Sequence, residues 1–158
     1  MLAAEGLLAF YAKEYGLKCV ALRLFNVYGP RQNVTSGYAA VVPAFIQAAK
    51  AGKDLRVDGD GSQTRDFVFV DDVVNAFLFA AKKGSGVYNI GSGKPTSVKH
   101  LAGIIIELAD SKSRITHAPR RAGDVRESLA DISKARKELG FEPRFTLKEG
   151  LERVVSNG

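Results

Sequence analysis

The feature that most narrows the possible folds is a short apolar run, residues 18–25, broken by Asn26 and then by Gly29-Pro30. Such a run is too short for a helix of ordinary length and reads as a buried strand. The Gly-Pro pair behind it predicts a turn. A polar amide at the end of a buried strand, followed by a turn and Arg31, allows two readings. Asn26 caps the strand, or it faces a ligand, since open α/β sheets hold ligands beyond the carboxyl ends of their strands. From these residues alone the two readings weigh equally.

The rest of the chain alternates helical and extended patterns. Leu7, Leu8, Tyr11 and Tyr15 recur at helical spacing and predict a helix over residues 2–15, stopped by Gly16. A second helix is expected over residues 39–51, with Pro43 tolerable near its first turn. Residues 55–57 read as a strand leading into the turn Asp58-Gly59-Asp60-Gly61. Arg65 then enters another strand, after which Asp71 is expected to cap a helix faced by Val73, Val74, Phe77, Leu78 and Ala81. Asp71 and Asp72 are assigned to capping rather than to acid–base chemistry. Further strands are predicted at residues 87–90 and 114–116, and Thr96 or Ser97 should cap a helix running to Leu108. Asp131 should cap a short helix ended by Gly140, and Thr146-Leu147-Lys148-Glu149 forms a capping box for a last helix. No repeat, linker or low-complexity segment interrupts this order.

Composition excludes several classes. A hydrophobic fraction of 46% in 158 residues suits a chain with a core and disfavours disorder. The single Cys19 rules out an internal disulfide, and His100 and His117 lack metal-ligand spacing, so no metal site is expected. No apolar run reaches membrane-spanning length and no signal peptide is visible, so a cytoplasmic protein without membrane contact is expected. The net charge of +6 is compatible with an anionic ligand or a solvated surface. Nucleic-acid binding would rest on that charge alone, because no aromatic-studded basic strand or recognition helix accompanies it. Gly91-Ser92-Gly93-Lys94 is not a P-loop, since Pro95 and Tyr88 stand where Ser/Thr and glycine are needed. It matches a dinucleotide fingerprint only in part, with Thr96 in place of the third glycine.

Three motifs carry a resemblance. Arg23 to Arg31 (RLFNVYGPR), Gln63 to Val73 (QTRDFVFVDDV) and Arg121 to Asp124 (RAGD), with Tyr88 to Val98 beside them, are similar to signatures of nucleotide-sugar epimerases and dehydratases. These belong to the extended branch of the short-chain dehydrogenase/reductase family. The resemblance covers nearly the whole chain but only the carboxyl-terminal half of a family member. It implies an α/β fold: part of a Rossmann-type domain around residues 1–25 and 70–90, interleaved with a small α/β substrate-binding domain from residues 26–69 and 91–158.

The same resemblance implies site residues. Asn26 would touch the diphosphate-sugar, Phe25 would lie near the nicotinamide, and a backbone group beside Val41 would meet the sugar. Arg65 and Arg121 would clamp the diphosphate, a role that suits paired guanidinium N–H groups. Asp124 would bond the ribose and Val98 would pack beside the nucleotide. Ser128 falls where members vary the pocket, and its small side chain would admit a bulky sugar substituent such as N-acetyl. Asp58 departs from the family, which places an aromatic residue there near the base.

Absent are the Gly-rich NAD loop and the catalytic Tyr-x-x-x-Lys. Tyr11, Tyr15, Tyr28, Tyr38 and Tyr88 are followed four residues later by Tyr15, Cys19, Gln32, Val42 and Ser92. Leu2-Ala3-Ala4-Glu5 matches the family's sequence just after that lysine, and Met1 stands in the lysine's place. The expectation is therefore the substrate-binding half of an NAD-dependent UDP-sugar or other NDP-sugar epimerase, with no catalytic residue of its own and no activity alone. NAD would serve the intact enzyme and would not bind this chain by itself. A dehydratase fragment and a non-catalytic nucleotide-sugar binding module are the alternatives. Self-association, or pairing with a complementing amino-terminal half, is expected because the first helix and strand would otherwise leave an apolar patch open.

Overall fold

A computed structural model describes residues 2–32 and 40–156; Met1, Tyr38 and residue 39, at the expected start of the second helix, lie outside the described residues. Helix α1, Leu2–Tyr15, leads into strand β1, Val20–Leu24. After one residue, β2 covers Asn26–Tyr28; α2, Val41–Lys50, and β3, Leu55–Asp58, follow. Strand β4, Thr64–Phe69, runs directly into α3, Val70–Lys83, and β5 is Gly86–Ile90. The order closes with β6 (Pro95–Ser97), α4 (Val98–Leu108), β7 (Ile115–Ala118), a π-helical turn (Ala135–Leu139) and α5 (Leu147–Ser156). Pairing is β1 with β5, β3 with β7 and β2 with β4, all parallel, while β6 adds to β4 antiparallel. Parallel pairs require crossovers, and the helices supply them, giving the expected α/β class.

Strand β1 ends at Leu24, just before Asn26 as expected; the Phe25 N–H still reaches the Ile90 carbonyl at 3.0 Å, and the chain then changes partner and starts β2 at Asn26. Leu24 still pairs with Ile90 of β5, whereas Asn26 pairs with Phe67 of β4. Asn26 therefore sits at a crotch where two parallel pairings diverge.

The expected cap at Asp71 also gives way. Phe69 is the N-cap residue and offers no side-chain bond; Asp71 lies inside the first turn with Arg153 at 3.5 Å. Because β4 feeds straight into the helix, the helix starts before the aspartates arrive. Both carboxylates then sit favourably near the positive end of the helix dipole. Asp72 is buried and accepts the backbone N–H groups of Arg144 and Phe145 at 3.0 and 3.2 Å. Other caps form as the sequence predicts: Ser97 accepts from the His100 N–H, and Thr146 and Glu149 bond each other's backbone. Asp131 holds Ser133 at the start of the segment that ends at Gly140, although much of that segment is π-helical.

Two apolar clusters meet at β4. Phe67 and Phe69 join Tyr28, Phe45, Leu55, Leu101, Ile105 and Leu151 under α2, α4 and α5. Val68, from the opposite face, joins Val73, Ala76, Ile90, Ile132 and Leu139. The two-residue period of a strand thus serves both clusters. Elsewhere apolar side chains face outward: Phe10, Tyr11 and Tyr15 of α1 and Val74, Phe77 and Leu78 of α3 are 46–66% exposed. A bidentate ion pair, Arg23 to Glu5 at 2.8 and 2.7 Å, ties α1 to β1.

Candidate functional site

A cleft of about 550 Å³ opens along the edge of the first cluster, within the range of small-molecule sites. Its walls bring together Asn26 from the crotch, Val41 at the start of α2, Arg65 from β4, Val98 at the start of α4, and Arg121 and Asp124 from the loop after β7. Six of the side chains singled out in the sequence therefore share one cavity, although 98 residues separate Asn26 from Asp124. Arg56, Asp58 and Gln63 complete its polar lining.

Each functional group is held by local structure. Arg65 donates from Nη2 to Asp124 Oδ1 at 2.5 Å and from Nη1 to the Thr64 carbonyl at 2.7 Å. Arg121 is mostly exposed and meets Asp58 loosely, at 3.6 Å. The turn after β3 is tight: Asp60 accepts the backbone N–H and hydroxyl of Ser62 at 3.0 and 2.7 Å. The N–H, then the hydroxyl, holds the Asp60 carboxyl below its ordinary value of 3.8. Gln63 closes the same turn by donating to the Asp58 carbonyl at 2.9 Å. A smaller recess of about 250 Å³, lined by Gly59, Ser62, Arg120 and Arg126, shares Asp58, Gln63 and Asp124 with the cleft.

Two residues fall elsewhere. Ser128 is not among the residues lining the cleft; its N–H bonds the Thr64 carbonyl at 3.2 Å, next to Arg65. Phe25 packs half-buried against the second cluster.

One buried carboxylate behind the site escaped sequence reasoning. Asp66 is fully buried and accepts four bonds: the Ser92 N–H at 2.6 Å and its hydroxyl at 2.7 Å, the Gly93 N–H at 2.9 Å and the Ala130 N–H at 3.2 Å. Gly91 is required beside it, since a Cβ there would strike the Asp66 carboxylate and Ala130. A carboxyl followed by three apolar residues in a strand was the available signal, because a charge in such a run must be paired or exposed.

Two tyrosines, Tyr28 and Tyr88, are engaged structurally. Tyr28 is buried and donates to the Leu147 carbonyl at 3.2 Å; burial, helped by Asp72 and Glu149, pushes its hydroxyl well above the ordinary tyrosine range. Tyr88 donates to Glu138 at 2.9 Å, and burial raises it as well.

The sequence pattern of the NAD dependent epimerase/dehydratase family matches residues 2–91, more than half of the chain. This chain belongs to that family. A UDP-glucose 4-epimerase of Mycolicibacterium smegmatis is 41% identical over 155 residues, which cover 97% of this chain and 49% of that protein. The structure of a UDP-glucose 4-epimerase from Thermotoga maritima with UDP-glucose superposes with a TM-score of 0.94 at 43% identity, over 99% of this chain and 50% of that one. A UDP-N-acetylglucosamine 4-epimerase from Methanobrevibacter ruminantium, in complex with UDP-N-acetylmuramic acid, gives the same TM-score at 37% identity, over 99% and 51%. This member of the epimerase family thus spans about half the length of the relatives it matches.

The family's cofactor does not fit the glycine-rich turn present here. A dinucleotide pyrophosphate needs free backbone N–H groups at a helix start. At residues 91–94 the N–H groups of Ser92 and Gly93 are spent on Asp66, and strand β6 follows instead of a helix.

Proposed function

We propose that this chain is the nucleotide-sugar-binding half of an NAD-dependent epimerase, most like a UDP-glucose 4-epimerase, and that it turns over no substrate alone. The observation carrying this reading is the meeting of Arg65, Arg121 and Asn26, from three separate segments, in one cleft of suitable size. In it Arg65 and Arg121 bind the diphosphate, Asn26 and the backbone beside Val41 hold the sugar, Asp124 takes the ribose hydroxyls, and Val98 packs beside the nucleotide. Asp58 replaces the aromatic neighbour of the base by a carboxylate, which reads a donor edge instead of stacking. Ser128, bonded to Thr64 next to Arg65 although outside the cleft's lining, is the position we propose leaves room for an N-acetyl group on the sugar. Phe25 meets the nicotinamide when the rest of the catalytic unit is present.

The exposed faces of α1 and α3 support the same reading. Apolar side chains at this density are normally covered. A complementing amino-terminal half, or a second copy, is the cover we propose.

Titration calorimetry with UDP, UDP-glucose and UDP-N-acetylglucosamine tests the binding role. Binding of UDP that is lost in Arg65→Ala supports it, and no binding of any of the three refutes it. An epimerase assay with added NAD tests the other half of the proposal: turnover by this polypeptide alone overturns it. Exclusion of the N-acetyl sugar would remove the role given to Ser128.

A further inference from the structure

We infer that Asp66 is a positioning residue for the cleft: from behind β4 it clamps the strap, residues 119–130, that carries Arg121 and Asp124. The inference rests on the nucleotide-sugar reading above and extends it to a residue outside the cleft.

The strap joins two fixed ends. Before it, β7 is paired with β3; after it, Ala130 and Ile132 are buried in the second cluster. Between these ends the chain runs over the surface, and Val125 and Leu129 are more than half exposed. Burial therefore does little to fix it, and polar bonds to the start of β4 do the rest. The Thr64 N–H donates to the Arg126 carbonyl at 2.9 Å, and the Ser128 N–H donates to the Thr64 carbonyl at 3.2 Å, a parallel bridge centred on Glu127. Regular parallel pairing would next join the Ala130 N–H to the Asp66 carbonyl. The Asp66 side chain takes that bond instead, through Oδ2 at 3.2 Å. Its remaining bonds go to Ser92 and Gly93, so one carboxylate fixes the end of the strap to the turn after β5.

The second side-chain tie on the strap runs from Arg65 to Asp124, at 2.5 Å, and it uses the cation that a phosphate needs. When Arg65 turns to a ligand, that tie weakens and the Asp66 tie stays. Arg121 has only a loose partner, Asp58 at 3.6 Å, and is mostly exposed, so its place is set by where the strap lies. A strap held at Ala130 presents Arg121 opposite Arg65 before the ligand arrives. A strap released there spreads Arg121 over many positions, and ordering it again on binding costs affinity.

Calorimetry with UDP on a cycle of Asp66→Asn and Arg121→Ala, in the full chain and well below each melting temperature, tests the inference. Asp66→Asn should weaken UDP on the order of fivefold, and in the Arg121→Ala background the same change should cost about twofold or less. Ser92→Ala removes a hydroxyl donor from the other oxygen of the same carboxylate. It should lower the melting temperature and leave UDP affinity as in the wild type. Unchanged affinity in Asp66→Asn, an equal loss in both backgrounds, or as large a loss in Ser92→Ala overturns the inference and leaves the nucleotide-sugar reading intact. If Asp66→Asn does not fold, amide exchange of the wild type decides. Bound UDP should then protect the N–H groups of Ser128 and Ala130 more than those of Ser92 and Gly93, and equal protection overturns the inference. A wild type that binds no UDP removes that reading and this inference with it.

Discussion

Arg65 and Asp66, neighbours in β4, serve opposite faces of the strand. Arg65 turns into the cleft toward Asp124, and Asp66 turns inward to four donors from the turn after β5 and from Ala130. Strand geometry alone sends adjacent side chains to opposite sides. The same short stretch therefore presents the cation and anchors two of the segments around it.

Asp66→Asn should destabilise the fold without touching the cleft directly. Two donors approach each carboxylate oxygen, so the amide must place its own NH₂ against two of them. Leaving buried donors unpaired costs about 1–3 kcal/mol each, so a loss of about 2 kcal/mol or more is expected. Urea unfolding reads it as a lower midpoint at unchanged slope; a midpoint equal to wild type would count against the anchoring role.

Arg65→Lys should weaken UDP by at least about tenfold, a loss of ~1.4 kcal/mol, while the melting temperature stays near wild type. A lysine keeps the charge but cannot donate along two parallel directions to phosphate or carboxylate. Calorimetry and a thermal melt on the same sample separate the two effects. Retained affinity would argue that Arg65 acts only as a point charge.

Gly150→Ala should destabilise although it replaces glycine by the best helix former. Helix propensity alone would favour alanine by about 1 kcal/mol. Here a Cβ would run into the Tyr28 hydroxyl and the Phe69 ring, both fixed in the first cluster. Overpacking of this kind costs about 1–3 kcal/mol and outweighs the propensity gain. A raised melting temperature would show that α5 can shift away from β2.

The start of α5 should loosen in acid. The Thr146 hydroxyl, then its N–H, holds the Glu149 carboxyl below its ordinary value of 4.5, with Arg153 contributing. A depressed folded value means stabilisation that is present above pH 4.5 and lost as pH falls through the lower folded value. Protection of the amides at residues 146–151, taken relative to the intrinsic exchange rate at each pH, should fall from pH 6 to pH 3 in the wild type and stay nearly constant in Glu149→Gln. An equal loss of protection in both would assign the effect to another group.

Local rules were enough for much of this fold. The periodic helices, the capping box of Thr146 and Glu149, the cap at Ser97 and the α/β class all depend on residues within a few positions of one another, so they were legible in the order of residues. The motifs around Asn26, Arg65 and Arg121 were legible too, although their meeting in one cavity was an expectation until the chain was folded. Other features were decided by tertiary structure. Leu24 pairs with Ile90 and Asn26 with Phe67, so the strand end legible at Asn26 is also the start of a second strand on another partner. Asp71 loses its cap because β4 enters the helix without a break. The partners of Asp66 are set only when Ser92 and Ala130, 26 and 64 residues away, close around it. Capping and periodicity are short-range and act before the chain folds; the partner of a buried charge is chosen by which distant segments arrive beside it, and only the packed structure makes that choice.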